Sequence, residues 1–263
     1  RVVYSDLNFI LLGEIVRRVS GMSLDQFAHE HLFKPLGMHD TMYHPAANMQ
    51  SRIAPTDRCS KSARPCGGPD GTMLRGLVHD PSARRMGGGP GHAGLFSTAD
   101  DLSIFCRMLL GGGAFGQTQI LSPATIVAMI SPSTPLNKGY IRGLGWSLDT
   151  TCDDGKGKRS PLPIDHSGFT GTKLWLDPGT GLYIVFLSSR LHPDGKGDVF
   201  DLREHIITIA LSAAAGQGTP AVLSVKGDAA NRRSLNLSTE KNPVRSQVLS
   251  GLDVLRAEEF HRL

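Results

Sequence analysis

The 263-residue sequence predicts an α+β fold: a helical region, then an antiparallel sheet, then a helix that backs the sheet. Three observations carry this. Apolar residues recur every three or four positions through several early segments, the period changes to two near residue 144, and a last amphipathic stretch follows a strand pair.

The first element runs from Leu7 to Val19, where Leu7, Ile10, Leu11, Ile15 and Val19 share helical spacing and Gly21 supplies the stop. Ser23-Leu24-Asp25-Gln26 reads as a capping box for a second helix, with Leu24, Phe27, Leu32 and Phe33 preceding Pro35 and the end expected in the turn PLGM. Between Asp40 and Gly94 the chain is rich in Gly, Pro, Ser and Asp, which predicts loops with short elements. A third helix is expected after Ser97-Thr98-Ala99-Asp100, with Leu102, Phe105, Met108 and Leu109 on one face and Gly111 to Gly113 closing it. Ser122-Pro123 opens a fourth. Alternation at Leu144, Trp146 and Leu148 marks a strand, and TKLWLD and LYIVFLSSR read as a hairpin around Pro178-Gly179. Leu202, Ile206, Ile209, Ala210 and Ala213 mark the last helix. Residues 216–247 have the polar, aperiodic composition of a linker, and residues 248–263 look like the start of a second domain, leaving 1–215 as the first.

Composition removes several function classes. The longest uninterrupted apolar run, Leu182 to Leu187, is far below the ~18 residues of a membrane span. Net charge is +4, but Lys and Arg are scattered and aromatic residues make up 6%, so the basic stripe with stacking rings of a nucleic-acid binder is missing. Neither the four cysteines nor the ten histidines show metal-site spacing, so no metal is expected, and no cofactor. Cys59 and Cys66 flank a polar loop that could close as a disulfide in an oxidising compartment.

Two motif-like strings are set aside. Gly89-Pro90-Gly91-His92-Ala93-Gly94 has the spacing of a dinucleotide fingerprint, but no apolar strand precedes it and no acidic residue stands at the ribose distance, so it reads as a glycine-rich turn. Ser238-Thr239-Glu240-Lys241 is the only Ser-x-x-Lys, and it lies in the polar linker with no apolar face to desolvate the lysine. No G-x-S-x-G elbow is present.

Tyr4-Ser5-Asp6 stands directly before the first helix, and His166-Ser167-Gly168 before the TKLWLD strand. With YSDLNFILLGEIV, PLGM, GHAGLFSTADDL, LGW and HSGFTGT in this order, the chain resembles the serine β-lactamase and penicillin-binding-protein superfamily, in particular its class C and esterase-like branch. The resemblance covers about residues 1–215 and implies a β-lactamase/transpeptidase-like fold. In that family a Ser-x-x-Lys precedes a Tyr-x-Asn, and a Lys-Thr-Gly lies on a sheet strand. Tyr4, Ser5 and Asp6 look like the second element, and His166, Ser167 and Gly168 like the third.

The resemblance implies acyl transfer through a serine ester, with the nucleophile upstream of this chain, Tyr4 sharing proton traffic and the Phe169 backbone N–H serving as an oxyanion donor. The substrate would be a small ester or amide, or a cell-wall peptide, met in the periplasm or outside the cell. Asp6 replaces an amide with an acceptor-only carboxylate, and His166 replaces a lysine with an imidazole only partly charged at neutral pH. Both changes point away from an efficient β-lactamase. The chain alone is expected to be inactive, with an incomplete sheet and an open sheet edge prone to association. A non-catalytic module binding peptide or muropeptide is the rival reading. The closing VLSGLDVLRAEEFHRL resembles the start of an exo-β-N-acetylmuramidase domain.

Overall fold

A computed structural model describes residues 3–62, 64–134, 141–148, 163–192 and 195–214. The expected linker and second-domain start, and Cys152, lie outside them. Helix α1 spans Asp6–Ser20, with the Ser5 hydroxyl accepting from the Leu7 N–H at 3.3 Å and Gly21 ending it in the left-handed region. Its apolar residues Leu7, Leu11, Ile15 and Val19 are all exposed, and only Gly13 is buried, against the Pro90–Gly91 turn. The periodicity that makes α1 legible therefore describes a face that the described residues leave uncovered.

The predicted capping box opens α2 (Leu24–Ala28), with the Ser23 N–H donating to Gln26 Oε1 at 3.3 Å. The helical run ends in the PLGM turn, as expected, but it is not one regular helix. A π turn at His29–Phe33 leads into α3 (Lys34–Leu36), and the chain leaves helix at Gly37, with φ of 74°. The wider turn places Pro35 at the start of α3, where its missing N–H costs little.

The loop region holds a 3₁₀ turn at Ala47–Arg52, a ribbon of β1 (Asp57–Arg58) against β2 (Met73–Leu74), and α4 (Pro81–Arg85), capped by Asp80. A Cys59–Cys66 disulfide, with Cα atoms 5.6 Å apart, closes the loop beyond β1, and both cysteines pack on Leu74 in a small core of their own. Helix α5 covers Ala99–Leu110. Its cap is Thr98, because Ser97 is turned to the Thr41 hydroxyl at 2.7 Å instead. Asp101, nearly buried, accepts from the Asp40 N–H at 2.8 Å and the Thr41 hydroxyl at 2.7 Å, tying the loop after α3 to α5. A small hairpin of β3 (Ala114–Phe115) and β4 (Thr118–Gln119), not anticipated from sequence, precedes α6 (Pro123–Ile130).

The main sheet is antiparallel in the order β5 (Ser147–Leu148), β6 (Ile164–Ser167), β7 (Lys173–Asp177) and β8 (Leu182–Phe186). The strand expected through Leu144 is shorter than its alternation suggests, because Gly145 turns the chain at φ of 87° and leaves Leu144 exposed. Register pairs Ile164 with Leu176 and His166 with Leu174, and Leu174 and Leu176 pair in turn with Val185 and Tyr183. Directly paired residues share a face, so this set looks toward the core built by Met108, Leu109, Ile126 and Ile130. On the other face Lys173 reaches Glu204 of α7 (Phe200–Ala214) at 3.0 Å, so the last helix backs the sheet as expected. Among the described residues no strand pairs with the outer side of β8.

Candidate active site

Tyr4 and Asp6 stand at the N-terminus of α1, where the Ser5 cap fixes the direction in which the chain enters the helix. Asp6 is exposed in the first turn, a position favoured for a carboxylate by the helix dipole. His166 lies on β6 with its side chain on the core-facing side. Ser167 alternates to the opposite side and is exposed, so the structure does not bring its hydroxyl together with the His166 ring.

What joins the two motif segments is Arg142, a residue that sequence reasoning missed. Its guanidinium carbon stands 5.0 Å from the centroid of the Tyr4 ring, and its charge acts on His166. Its backbone is fixed by an N–H bond to the Thr134 hydroxyl at 2.9 Å and a carbonyl bond from the Ser133 N–H at 2.7 Å. A lone arginine in I-R-G-L-G-W carries no sequence signal beyond its closeness to the quoted LGW.

Burial, and then the positive charge of Arg142, pushes His166 below its ordinary 6.5, against an opposing backbone hydrogen bond at Ser167. The imidazole is therefore neutral at pH 7, and the positive charge at this place belongs to Arg142. The unfolded chain binds the proton more tightly, so the stability contribution is full above about pH 6.5 and is lost as pH falls from there toward the lower folded value. Denaturant unfolding of the chain and of His166→Gln across pH 7 to 5 is expected to show an acid loss in the parent that the variant lacks.

Gly168, Phe169, Thr170 and Gly171 form the turn between β6 and β7, closed by a Gly171 N–H bond to the Gly168 carbonyl at 3.0 Å and a Gly168 N–H bond to the Thr172 carbonyl at 2.8 Å. Phe169 is 68% exposed, and among the described residues no acceptor takes its N–H. A cavity of about 290 Å³ opens elsewhere, lined by Tyr43, His44, Leu77, Arg84 and Phe96 among others, and none of Tyr4, Asp6, His166 or Phe169 lines it.

This combination of a helical region, an antiparallel sheet with a helix behind it, and motif residues at the seam between them is a β-lactamase/transpeptidase-like fold. The chain belongs to the Beta-lactamase family, whose profile matches residues 1–206, and thus to the serine β-lactamase and penicillin-binding-protein superfamily. A protein of Escherichia coli K12 described as "Putative D-alanyl-D-alanine carboxypeptidase" is 33% identical over 205 residues, covering 72% of this chain and 45% of the relative. This chain thus spans less than half the length of that relative. A penicillin-binding protein homologue from Pyrococcus abyssi superposes with a TM-score of 0.56 at 19% identity, over 83% of this chain and 44% of that one. A β-lactamase from Sulfitobacter sp. EE-36 does so with a TM-score of 0.57 at 21% identity, over 80% and 60%. At these identities the two structures bear on the fold alone.

Proposed function

We propose that this chain is the greater part of a serine hydrolase domain that moves an acyl group from an ester or amide to a serine, and from there to water. The nucleophile belongs to a Ser-x-x-Lys upstream of Tyr4, the order in which the resembled family carries its motifs. Serine Oγ attacks the carbonyl carbon while its proton passes to the lysine and Tyr4. The Phe169 N–H donates to the resulting oxyanion, the leaving group departs with a proton, and water repeats the sequence on the acyl ester. The observation that carries this reading is Arg142. It contacts the Tyr4 ring and acts on His166, so two segments far apart in the chain meet at one cation. That cation offers a substrate carboxylate the attraction that the neutral His166 lacks.

A cell-wall peptide is the proposed substrate class, supported by the name of the 33% identical relative. Residence in the periplasm or outside the cell is supported by the Cys59–Cys66 disulfide, since such bonds persist in oxidising compartments. The test uses the protein extended through the upstream region. Incubated with a chromogenic ester and quenched, it should release chromophore and carry the acyl mass on the serine of a Ser-x-x-Lys. Binding of muropeptide without an acyl adduct or turnover would sink the hydrolase reading in favour of a binding module.

A further inference from the structure

The turn that presents the Phe169 N–H is gripped from two distant segments. From one side, the His79 ring stacks on the Phe169 ring, with centroids 5.3 Å and planes 17° apart. From the other, the Arg190 guanidinium carbon lies 4.5 Å from the centroid of the same ring, while its Nε donates to the Phe169 carbonyl at 2.7 Å. The Arg190 N–H also donates to the Thr170 carbonyl at 2.9 Å, and the Ser188 hydroxyl to the Gly171 carbonyl at 2.9 Å.

Each gripping residue is itself held. His79 Nδ1 lies 3.1 Å from Asp57 Oδ2, and Asp57 sits on β1 directly ahead of the disulfide-closed loop. The Arg84 guanidinium, from α4, donates to the carbonyls of Val78 and His79 and so fixes the backbone that presents the imidazole. Ser189 donates to the Pro55 carbonyl at 2.6 Å, joining the segment after β8 to the segment before β1. Phe169 is 68% exposed, so burial does not order its ring. Offset stacking and a guanidinium over the ring are the interactions that remain to do so.

We infer that His79, oriented by Asp57, and Arg190 are positioning residues that clamp the Gly168–Gly171 turn and so fix the direction of the Phe169 N–H. The inference rests on the proposed role of that N–H as oxyanion donor. Its structural half is testable on this chain, with no turnover required.

Amide hydrogen exchange would be followed by NMR at Gly168, Gly171 and Arg190, whose N–H groups close the turn, and at α5 as a reference. In His79→Ala the three turn amides should exchange about tenfold faster while α5 is unchanged, because only the local opening becomes easier. His79→Phe, which keeps a flat ring for stacking, should return them to within about twofold of the parent. Unchanged turn amides in His79→Ala would overturn the clamp, as would turn and α5 amides accelerating together, which marks a global loss of stability. In the extended protein, His79→Ala should lower kcat about tenfold with KM within about twofold, a fraction of the 10²–10³ lost when an oxyanion donor is removed outright. A shift in KM alone would place His79 on the substrate and overturn its positioning role. Absence of turnover in the parent would count against the hydrolase reading, and the exchange result would then decide the clamp by itself.

Discussion

Tyr4→Phe in the extended protein is expected to lower ester turnover by a factor on the order of 10²–10⁴, the usual worth of a positioned proton-transfer group. The substitution deletes one hydroxyl and keeps the ring, so the contact with Arg142 at 5.0 Å survives. Tyr4 is 61% exposed, so the change removes no core packing and the unfolding midpoint should be unmoved. A fall in kcat with stability and substrate binding retained is thus a chemical loss. Arg142→Met provides the companion measurement. If the guanidinium assists by charge, this variant should lose turnover most on substrates bearing a carboxylate, and less on neutral esters. Full activity in Tyr4→Phe would remove the phenol from the mechanism, and with it the assignment of Tyr4-Ser5-Asp6 as the second motif.

Gly91→Ala is expected to be severe for a different reason. Gly91 has φ of +104°, outside the region open to L side chains, and a Cβ built there would stand 2.3 Å from the Phe9 carbonyl oxygen. Backbone strain alone costs about 1–3 kcal/mol, and the contact forces the 89–94 turn and α1 apart in addition. Gly21→Ala is the control. It shares a positive φ, +74°, but nothing lies within 4 Å of its Cβ, so only the conformational cost of about 1 kcal/mol applies. Chemical denaturation should rank the two clearly, Gly91→Ala being the less stable by at least about 2 kcal/mol. Because Tyr4 stands directly before the cap of α1, Gly91→Ala should also cost activity that Gly21→Ala retains. Equal effects would show that the turn does not set the position of α1.

The glycine-rich string shows how far the sequence could be read. Its spacing imitates a dinucleotide fingerprint, and rejecting that reading needed only the missing strand before it. Why glycine stands at 91 is invisible without the Phe9 carbonyl, which the fold brings alongside from α1. The same division runs through the helices. The capping box at Ser23, the opening at Ser122 and the stop at Gly21 were legible because a cap is satisfied within a few residues of itself. The end in the PLGM turn was legible too, while the π turn ahead of Pro35 carried no local signal.

At the candidate site, the motif strings were legible because each is short and their order along the chain is fixed. Arg142, His79 and Arg190 were not, being single residues in loops whose neighbours in space come from other segments. The sequence by itself determined the helices, the hairpin, the α+β class and the order of the motifs, because periodicity, capping and turn chemistry act over a few residues. Only the tertiary structure decided which face of α1 is covered, that His166 and Ser167 part to opposite sides of β6, and that one arginine joins Tyr4 to His166. Those outcomes depend on contacts between segments far apart in the chain, which no local pattern records.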